Sequence, residues 1–231
     1  MTDRMPTTPS LIGLYGGSFD PVHLGHIATA EELLQRLPLR EIRLLPAARS
    51  PLKSRSSRAE DRQAMLRLAT QGRQGRQGLT IDDRELQRPP PSYTVDSLRE
   101  IRAELGPEAG LVFIMGQDSF AELPRWKDWQ SLTHYAHLLI VSRPGHAAAF
   151  SEELENWLKK RRITAAKSLE SRALPDGQGG VLFIETAPHD IASRDIRAAL
   201  ARHADTSHWL NPAVRDYIER HHLYRGDADP Q

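Results

Sequence analysis

Short apolar runs alternate with stretches of helically spaced apolar residues along most of the chain. The longer apolar runs lack polar alternation, which is typical of strands buried on both faces of a sheet. The runs lie at residues 11–15, 42–45, 79–82, 111–115, 138–142 and 181–185. Apolar residues repeat with a helical period at about 23–37, 59–70, 92–105, 193–203 and 212–222. This alternation predicts an α/β fold: a doubly wound, mostly parallel sheet with helices on both faces and a small C-terminal helical region.

We expect a single domain over residues 1–231, with flexible ends at 1–9 and 225–231. Three glycines interrupt residues 71–78, and residues 168–180 lack periodicity, so both stretches are predicted to be surface loops. In a sheet of this kind, ligands bind beyond the carboxyl ends of the strands, where the strand order switches. Residues that carry chemistry should therefore follow directly after predicted strands.

Composition excludes several classes of function. The chain has a formal net charge of +1 and no cysteine, so disulfides, thiolate zinc sites and thiol catalysis are ruled out. Near-zero charge argues against a nucleic-acid partner, although Arg73 and Arg76 leave an RNA-binding module as an alternative. The polar N-terminus lacks the apolar core of a signal peptide, and no apolar run approaches the roughly 20 residues that cross a bilayer. We expect a cytoplasmic protein without a membrane partner.

The clearest candidate segment is GGSFDPVHLGH at residues 16–26, directly after the first predicted strand. Its two glycines permit a tight turn and a close approach of the backbone to a ligand. Asp20 and Pro21 resemble an N-cap and a first helical residue, although the helix could begin a few residues later. A helix N-terminus offers amide donors and a partial positive charge to phosphate. His23 and His26 lie three residues apart, so both would project on one side and donate to a polyphosphate.

Two other interpretations of the histidines stay open. They could ligate zinc, but no glutamate stands at the metalloprotease spacing and no third ligand is nearby, so we predict no metal site formed by the protein alone. They could also be a buried structural pair, although a glycine turn and a helix start coincide with both. The segment is neither a G-x-G-x-x-G fingerprint nor a P-loop.

A second anion-binding geometry is predicted at IASRDIR, residues 191–197, which follows a strand and opens a helix. Arg197 in a first helical turn opposes the helix dipole unless an anion lies nearby, which favours a functional role over a surface ion pair. Arg194 lies three residues before it and shares its side of the turn, so Arg194 is a further candidate for phosphate contact. An Arg194 that points into solvent is the competing interpretation.

These two segments resemble the signatures of the nucleotidyltransferase superfamily that shares a His-x-Gly-His motif with class I aminoacyl-tRNA synthetases. In the second signature, Ala192 and Arg194 replace a serine and a threonine of the superfamily pattern. Residues 46–53 resemble the superfamily's proline-containing loop, which ends in a phosphate-binding lysine, here Lys53. A solvated basic face is the competing interpretation of that loop.

The middle and the end of the chain resemble bacterial nicotinate-nucleotide adenylyltransferases. The resemblance is carried by RELQR (84–88), PSYTVDSL (91–98), IMGQDS (114–119), LPRWKDW (123–129), RPG (143–145), VRDYI (214–218) and LY (223–224). Together with the two signatures it covers most of residues 11–224, in order and at familiar spacing.

The resemblance implies a Rossmann-like fold and three sets of site residues. The residues to which the resemblance assigns a catalytic role are His23, His26, Lys53 and Arg197. Those implied in ATP binding are Gly16, Gly17, Ser18, Phe19, Gly116, Asp118, Ile191, Ser193 and Arg194. Those implied in binding the nicotinate nucleotide are Tyr93, Thr94, Trp126 and Lys127.

Physical arguments agree with parts of this assignment. Amides near Thr94, at a helix start, suit the carboxylate of a pyridine ring, and the Trp126 ring could stack on that pyridine. Trp126 could instead be a core residue, an interpretation that we favour for Trp129. Asp118 would bond a ribose hydroxyl or, alternatively, cap a helix.

The reaction implied is transfer of AMP from ATP to nicotinate mononucleotide with release of pyrophosphate. The attacking phosphate, with a second pKa of about 6, is largely dianionic at neutral pH, so no catalytic base is required. Mg²⁺ is expected as a cofactor bound mainly through ATP phosphates and water. The expected partners are these two nucleotides, and the sequence does not indicate an oligomeric state. The nearest alternative is another enzyme of the superfamily, such as pantetheine-phosphate adenylyltransferase.

Overall fold

Seven parallel strands form one sheet in a computed structural model that describes residues 11–48, 57–71, 78–89, 91–142, 149–169, 178–189 and 191–225. The strands are β1 (Leu11–Gly17), β2 (Leu39–Pro46), β3 (Leu79–Ile81), β4 (Gly110–Gly116), β5 (His137–Ser142), β6 (Arg162–Ile163) and β7 (Val181–Glu185). Their order across the sheet is β3-β2-β1-β4-β5-β7-β6. Winding therefore proceeds in one direction from β1 and in the other from β4, which makes the sheet doubly wound.

Helices connect the strands and cover both faces of the sheet. In the described residues they are α1 (Leu24–Arg36), α2 (Ala59–Thr70), α3 (Arg84–Gln87), α4 (Thr94–Leu105), α5 (Gln117–Ala121), α6 (Leu132–Tyr135), α7 (Glu152–Lys159), α8 (Ser193–Ala201) and α9 (Pro212–Arg220). Helices α1, α2, α8 and α9 bury apolar residues in one core cluster. Helices α4 to α7 bury theirs in a second cluster. The predicted α/β architecture is thus confirmed.

The sheet separates these two cores, and successive side chains of β1 and β4 point to one core or the other. Leu11 belongs to the α1 side, whereas Ile12 and Leu14 belong to the α4 side. On β4, Val112 and Ile114 face the first cluster, and the intervening Phe113 faces the second. Both strands are therefore apolar on two faces, which explains why their sequences do not alternate with polar residues.

Most predicted elements match the structure closely. The bounds of α2 and β7 agree with the expected 59–70 and 181–185, and the other predicted strands and helices lie within a few residues of their expected positions. The short helices α3, α5 and α6, helix α7 and strand β6 were not among the predicted elements. The loop prediction at 71–78 falls mostly on residues outside the described ranges, as do much of 168–180, residues 1–9 and 226–231.

The carboxyl ends of β1 and β4 lie side by side at the switch in strand order, since β1 pairs with β4 from Leu11 to Tyr15. A cleft at such a switch is where ligands bind in open α/β sheets. The segment at residues 16–26 follows β1, as the sequence argument requires. None of the described helices is long and apolar enough to cross a membrane.

Candidate functional site

The turn between β1 and α1, residues 16–26, is called the histidine turn below. Its glycines allow close packing, because a Cβ atom at Gly16 would lie only 2.6 Å from Cζ of Phe113. Gly17 ends β1, and after Ser18 the buried Phe19 takes a left-handed φ of 47° that turns the chain away from the sheet. Such backbone is costly for a residue with a side chain and is often found at functional sites.

Helix α1 begins at Leu24, with His23 as its N-cap. The alternative of a helix that starts a few residues after Asp20 and Pro21 is therefore confirmed, and those two residues do not cap it. The Leu24 amide donates to the carbonyl of Trp209 over 2.9 Å. One amide of the first helical turn is thus already bonded to the C-terminal part of the chain.

His23 and His26 stack on each other, with ring centroids 3.7 Å apart and planes 29° apart. The backbone amide of His23 donates to Nδ1 of His26 over 3.3 Å. His23 is buried and His26 is half-buried, with the His26 ring also 5.0 Å from the ring of Phe19. The two imidazoles therefore form one surface at the start of α1, as their spacing predicted.

Gly25 lets the second predicted signature approach this pair. A Cβ atom at Gly25 would lie 3.1 Å from Cβ of His189 and 3.2 Å from Nδ1 of His23, so a larger residue would push the two segments apart. His189 lies two residues before the start of the IASRDIR segment. The glycine between the histidines is thus explained by packing against a distant part of the chain.

The first turn of α8 is hydrogen-bonded to the histidine turn. Nη1 of Arg197 donates to the Asp20 carbonyl over 2.6 Å, and Oγ of Ser193 donates to the Pro21 carbonyl over 3.0 Å. Ile191 is half-buried and packs against the core cluster on the α1 side. The two segments expected to bind phosphate, joined by hydrogen bonds that span 172 and 177 residues, therefore form one continuous surface.

Arg194 is placed differently from Arg197. Its side chain is 82% exposed, and its Nε lies 3.4 Å from Oδ1 of the neighbouring Asp195. The N-cap of α8 is Ala192, where the superfamily pattern has a serine, and no side-chain hydrogen bond caps this helix. Arg194 is therefore an exposed cation at the start of the helix, whereas Arg197 is held against the histidine turn.

Arg62 on α2 joins the histidine turn to the chain that follows β2. Its guanidinium is buried and donates to four backbone carbonyls, those of Ser18, Ala47, Ala48 and Ser57. Burial lowers the pKa of Arg62 from its usual value, although an arginine stays protonated under ordinary conditions. Lys53 lies outside the described residues, but the positions that flank its segment are fixed by this one side chain.

Asp20, within the histidine turn, is the acceptor of two hydrogen bonds from distant parts of the chain. Its buried carboxylate accepts from the Ser57 amide over 3.1 Å and from the Tyr224 hydroxyl over 2.6 Å. Sequence reasoning considered Asp20 only as a helix cap and did not single out Arg62 or Tyr224 for the site. The signals were a charged residue at a predicted core position of α2 and an aromatic residue near the end of the chain, and neither indicates its distant partner.

At the end of β4, Gly116 is the exposed N-cap of α5, and Asp118 is an exposed residue in the first turn of this short helix. The alternative that Asp118 itself caps the helix is therefore wrong, because the capping position belongs to Gly116. Asp118 follows the carboxyl end of β4, one of the two strands at the switch in strand order.

Lys127 lies beside Tyr93 and Thr94 at the start of α4; these three residues and Trp126, which precedes Lys127 in sequence, are called the Tyr93 cluster below. Tyr93 is the N-cap of α4 and Thr94 its first residue. Nζ of Lys127 lies 4.6 Å from the centre of the Tyr93 ring and 3.4 Å from Oδ2 of Asp96. Trp126 is half-buried against the α4 core cluster. Trp129 is buried and packs edge-on against Trp157 at 5.1 Å, so its expected core role is confirmed.

Glu85 connects the two parts of the site. Burial raises the pKa of this carboxyl group, against the opposing effects of the Ser97 hydroxyl, Arg88 and the Ala48 amide that bond or attract it. Ser97 of α4 donates to Glu85 over 2.7 Å, while Ala48 belongs to the segment that Arg62 holds. A buried hydrogen-bonded path therefore runs from the chain after β2 to the helix that carries the Tyr93 cluster.

The described residues contain no group of three or more His, Asp or Glu side chains that could hold a metal ion. The donor set at the histidine turn, which consists of imidazoles, amides and a guanidinium, suits an anion rather than a bare cation.

The Cytidylyltransferase-like family model matches residues 14–199, which include the histidine turn and the first turn of α8. This match defines the class of the protein as a nucleotidyltransferase. A protein of Pseudomonas syringae pv. tomato, described as a probable nicotinate-nucleotide adenylyltransferase, is 39% identical over 96% of both chains. One of Laribacter hongkongensis with the same description is 44% identical over 94% of this chain and 96% of that protein. The chain belongs to the nicotinate-nucleotide adenylyltransferase family.

Solved structures support the fold. The nicotinic acid mononucleotide adenylyltransferase of Plasmodium falciparum, complexed with NaAD, is similar with a TM-score of 0.71 and 20% identity, covering 95% of this chain and 100% of that one. The same enzyme complexed with APC gives a TM-score of 0.66. At this identity the comparison shows a shared fold.

Proposed function

We propose that the protein transfers AMP from ATP to nicotinate mononucleotide, forming nicotinate adenine dinucleotide and pyrophosphate. The observation that carries this proposal is the joined surface of the histidine turn and α8 at the switch in strand order. There, two stacked imidazoles and the Arg197 guanidinium come together through the Asp20 and Pro21 backbone. Family membership supports the choice of substrates.

In this proposal, the phosphates of ATP lie along the histidine turn. His23 and His26 donate hydrogen bonds to the phosphate oxygens that gain charge as the bond to pyrophosphate breaks, and Arg197 and Lys53 add positive charge. Gly16, Gly17, Ser18, Phe19, Ile191, Ser193 and Arg194 line the ATP side, with Gly116 and Asp118 beyond β4 toward the ribose. Most of these donors are already held by protein contacts, so little reorganisation is required when ATP binds.

The nucleophile needs alignment rather than activation. The phosphate of nicotinate mononucleotide is largely dianionic at neutral pH, with a second pKa of about 6. The Tyr93 cluster binds the pyridine ring, with helix-opening amides near Thr94 and the Lys127 ammonium toward its carboxylate and Trp126 against its face. Holding both nucleotides in line converts a bimolecular attack into an effectively intramolecular one.

We propose Mg²⁺ as the cofactor, brought in with ATP and held mainly by its phosphates and water. The anion-binding donor set of the histidine turn is compatible with an ion that takes few ligands from the protein. When bound, Mg²⁺ neutralises charge on the phosphates. A single domain and a cytoplasmic location belong to the same proposal.

The test is pyrophosphate release from ATP with a panel of acceptors: nicotinate mononucleotide, nicotinamide mononucleotide and 4′-phosphopantetheine. We expect turnover to be highest with nicotinate mononucleotide and to depend on added Mg²⁺. Preferred turnover of phosphopantetheine would contradict the proposal and favour the related pantetheine-phosphate adenylyltransferase activity. If none of the three acceptors gives pyrophosphate release above background, both adenylyltransferase activities are excluded.

A further inference from the structure

Tyr224 reaches the histidine turn from the far end of the described chain. Its hydroxyl donates to Oδ1 of Asp20 over 2.6 Å, across a separation of 204 residues. The Ser57 side chain is also bonded to this hydroxyl, while the Ser57 amide donates to the other oxygen of the Asp20 carboxylate. Tyr224 thus contacts both Asp20 and Ser57, the two residues whose hydrogen bond joins the histidine turn to the chain just before α2.

Both contacts lie in a buried setting. Asp20 is 4% exposed and Arg62, which bonds the Ser57 carbonyl, is 2% exposed. Burial, together with the adjacent Asp20 carboxylate, raises the pKa of the Tyr224 hydroxyl well above its usual value. The hydroxyl therefore keeps its proton and remains a donor to Asp20 at every pH at which the enzyme would work.

The Asp20 main chain leads directly to the phosphate side. Its carbonyl accepts from Arg197 over 2.6 Å, and the neighbouring Pro21 carbonyl accepts from Ser193. A shift of the Asp20 side chain would therefore move the carbonyl that holds Arg197 and the backbone that leads into the two histidines. A displacement of about 1 Å at such a site can lower turnover by about 100-fold.

We propose that Tyr224 is a positioning residue for the ATP side of the site, which holds Asp20 and Ser57 so that Arg197 and His23 meet the phosphates. This inference rests on the proposed adenylyl transfer. Tyr224 touches neither nucleotide in this arrangement, since it acts through Asp20 and Ser57.

The chain offers a closely matched control. Tyr217 belongs to the same C-terminal segment, and its hydroxyl donates over 2.9 Å to Oδ1 of a buried aspartate, Asp61 of α2. That aspartate bonds Arg58 rather than the histidine turn. Substituting phenylalanine for either tyrosine removes one hydroxyl group and one hydrogen bond to a buried carboxylate, but only Tyr224→Phe affects the turn.

The experiment compares steady-state pyrophosphate release and thermal unfolding for the two variants. For Tyr224→Phe we expect kcat to fall about tenfold and the KM for ATP to rise several-fold, with the KM for nicotinate mononucleotide within twofold of wild type. For Tyr217→Phe we expect a similar loss of Tm but all three kinetic constants within twofold of wild type. Equal kinetic effects in both variants, or a Tyr224→Phe defect confined to the mononucleotide, would overturn the inference.

A second variant covers the case in which Tyr224→Phe folds poorly. Incorporation of 4-aminophenylalanine at position 224 keeps a donor at the same place on the ring, and we expect kcat within about threefold of wild type. A tenfold loss in this folded variant would also overturn the inference. A wild-type enzyme that releases no pyrophosphate from ATP and nicotinate mononucleotide would refute the proposed function instead, so the two failures are distinct.

Discussion

The histidine turn is held by buried groups, whereas Lys127 of the Tyr93 cluster is held by contacts near the surface. Arg62 and Asp20, both almost fully buried, fix the turn through hydrogen bonds to the backbone. Lys127, by contrast, is exposed and held by a cation–π contact and an ion pair. Buried hydrogen bonds are costly to break, while exposed ion pairs are worth about 0–1 kcal/mol.

The difference fits the demands of the two halves of the reaction. Charge on the phosphates changes as the reaction proceeds, so donors there are most effective when they are fixed in advance. Recognition of a pyridine ring requires only that the bound ring keep its place. Substitutions in the first region should therefore change kcat, whereas substitutions in the second should change KM and substrate preference.

The largest effect is expected from the histidines. His23→Ala or His26→Ala should lower kcat by about 100-fold or more, with a smaller change in affinity for ATP, by analogy with loss of one donor to a developing oxyanion. His134→Ala, which removes an exposed imidazole on α6, is the matched control and should leave turnover unchanged. Near-wild-type kcat in both histidine-turn variants would show that the stacked pair is structural.

Substrate preference tests the Tyr93 cluster. Amides near Thr94 only donate hydrogen bonds, so the NH₂ group of a nicotinamide ring would face them without an acceptor. A buried unpaired donor costs about 1–3 kcal/mol, which corresponds to roughly a 5- to 150-fold lower kcat/KM for nicotinamide mononucleotide. Competition assays with both nucleotides measure this ratio directly. A ratio near one would identify a site that accepts both rings.

A smaller effect is expected from Lys127. Lys127→Met removes the ammonium beside the Tyr93 ring and leaves Asp96 with one cation fewer near an incoming carboxylate. At about 0.5–1 kcal/mol for an exposed cation, the KM for nicotinate mononucleotide should rise roughly two- to fivefold. The KM for nicotinamide mononucleotide, whose ring carries an uncharged amide in place of the carboxylate, should change less. Lys159→Met, at the end of α7, controls for general loss of positive charge, and an equal change in that variant would argue against a local role.

Arg194 should give the smallest change. Arg194→Thr restores the superfamily residue and, if the guanidinium contacts the β- or γ-phosphate, should raise the KM for ATP about threefold and weaken the salt dependence of ATP binding. Arg202→Thr, at the C-cap of the same helix, is the charge-matched control. A level or lower KM for ATP would mean that the exposed pairing of Arg194 with Asp195 is its whole role.

How much of this molecule was predictable depends on the distance over which each feature is encoded. Strands β1 and β4 and helix α2 follow from apolar patterns within a dozen residues. The shared side of His23 and His26 follows from a spacing of three within one helical turn. Local periodicity carries this information, so the sequence alone locates these elements.

The features that were missed fall into two kinds. Helix α7 is short, and its signals extend over only eight residues: Leu154, Trp157 and Leu158 recur at helical spacing, and Ser151 accepts from the Leu154 amide before three glutamates in the first turn. The contacts of Arg62 with Ser18 and of Tyr224 with Asp20 span 44 and 204 residues. The partners of Arg62 and Tyr224 are set by how whole helices pack, and a local sequence pattern does not predict that packing.

The bond between Tyr224 and Asp20 also orders events in time. At a synthesis rate of about 5–20 residues per second, the 204 residues between them take roughly 10–40 s to make. During that interval a growing chain already carries the glycines and histidines of the turn but lacks the hydroxyl that completes it. The binding surface for phosphate is therefore synthesised well before the residue that completes it.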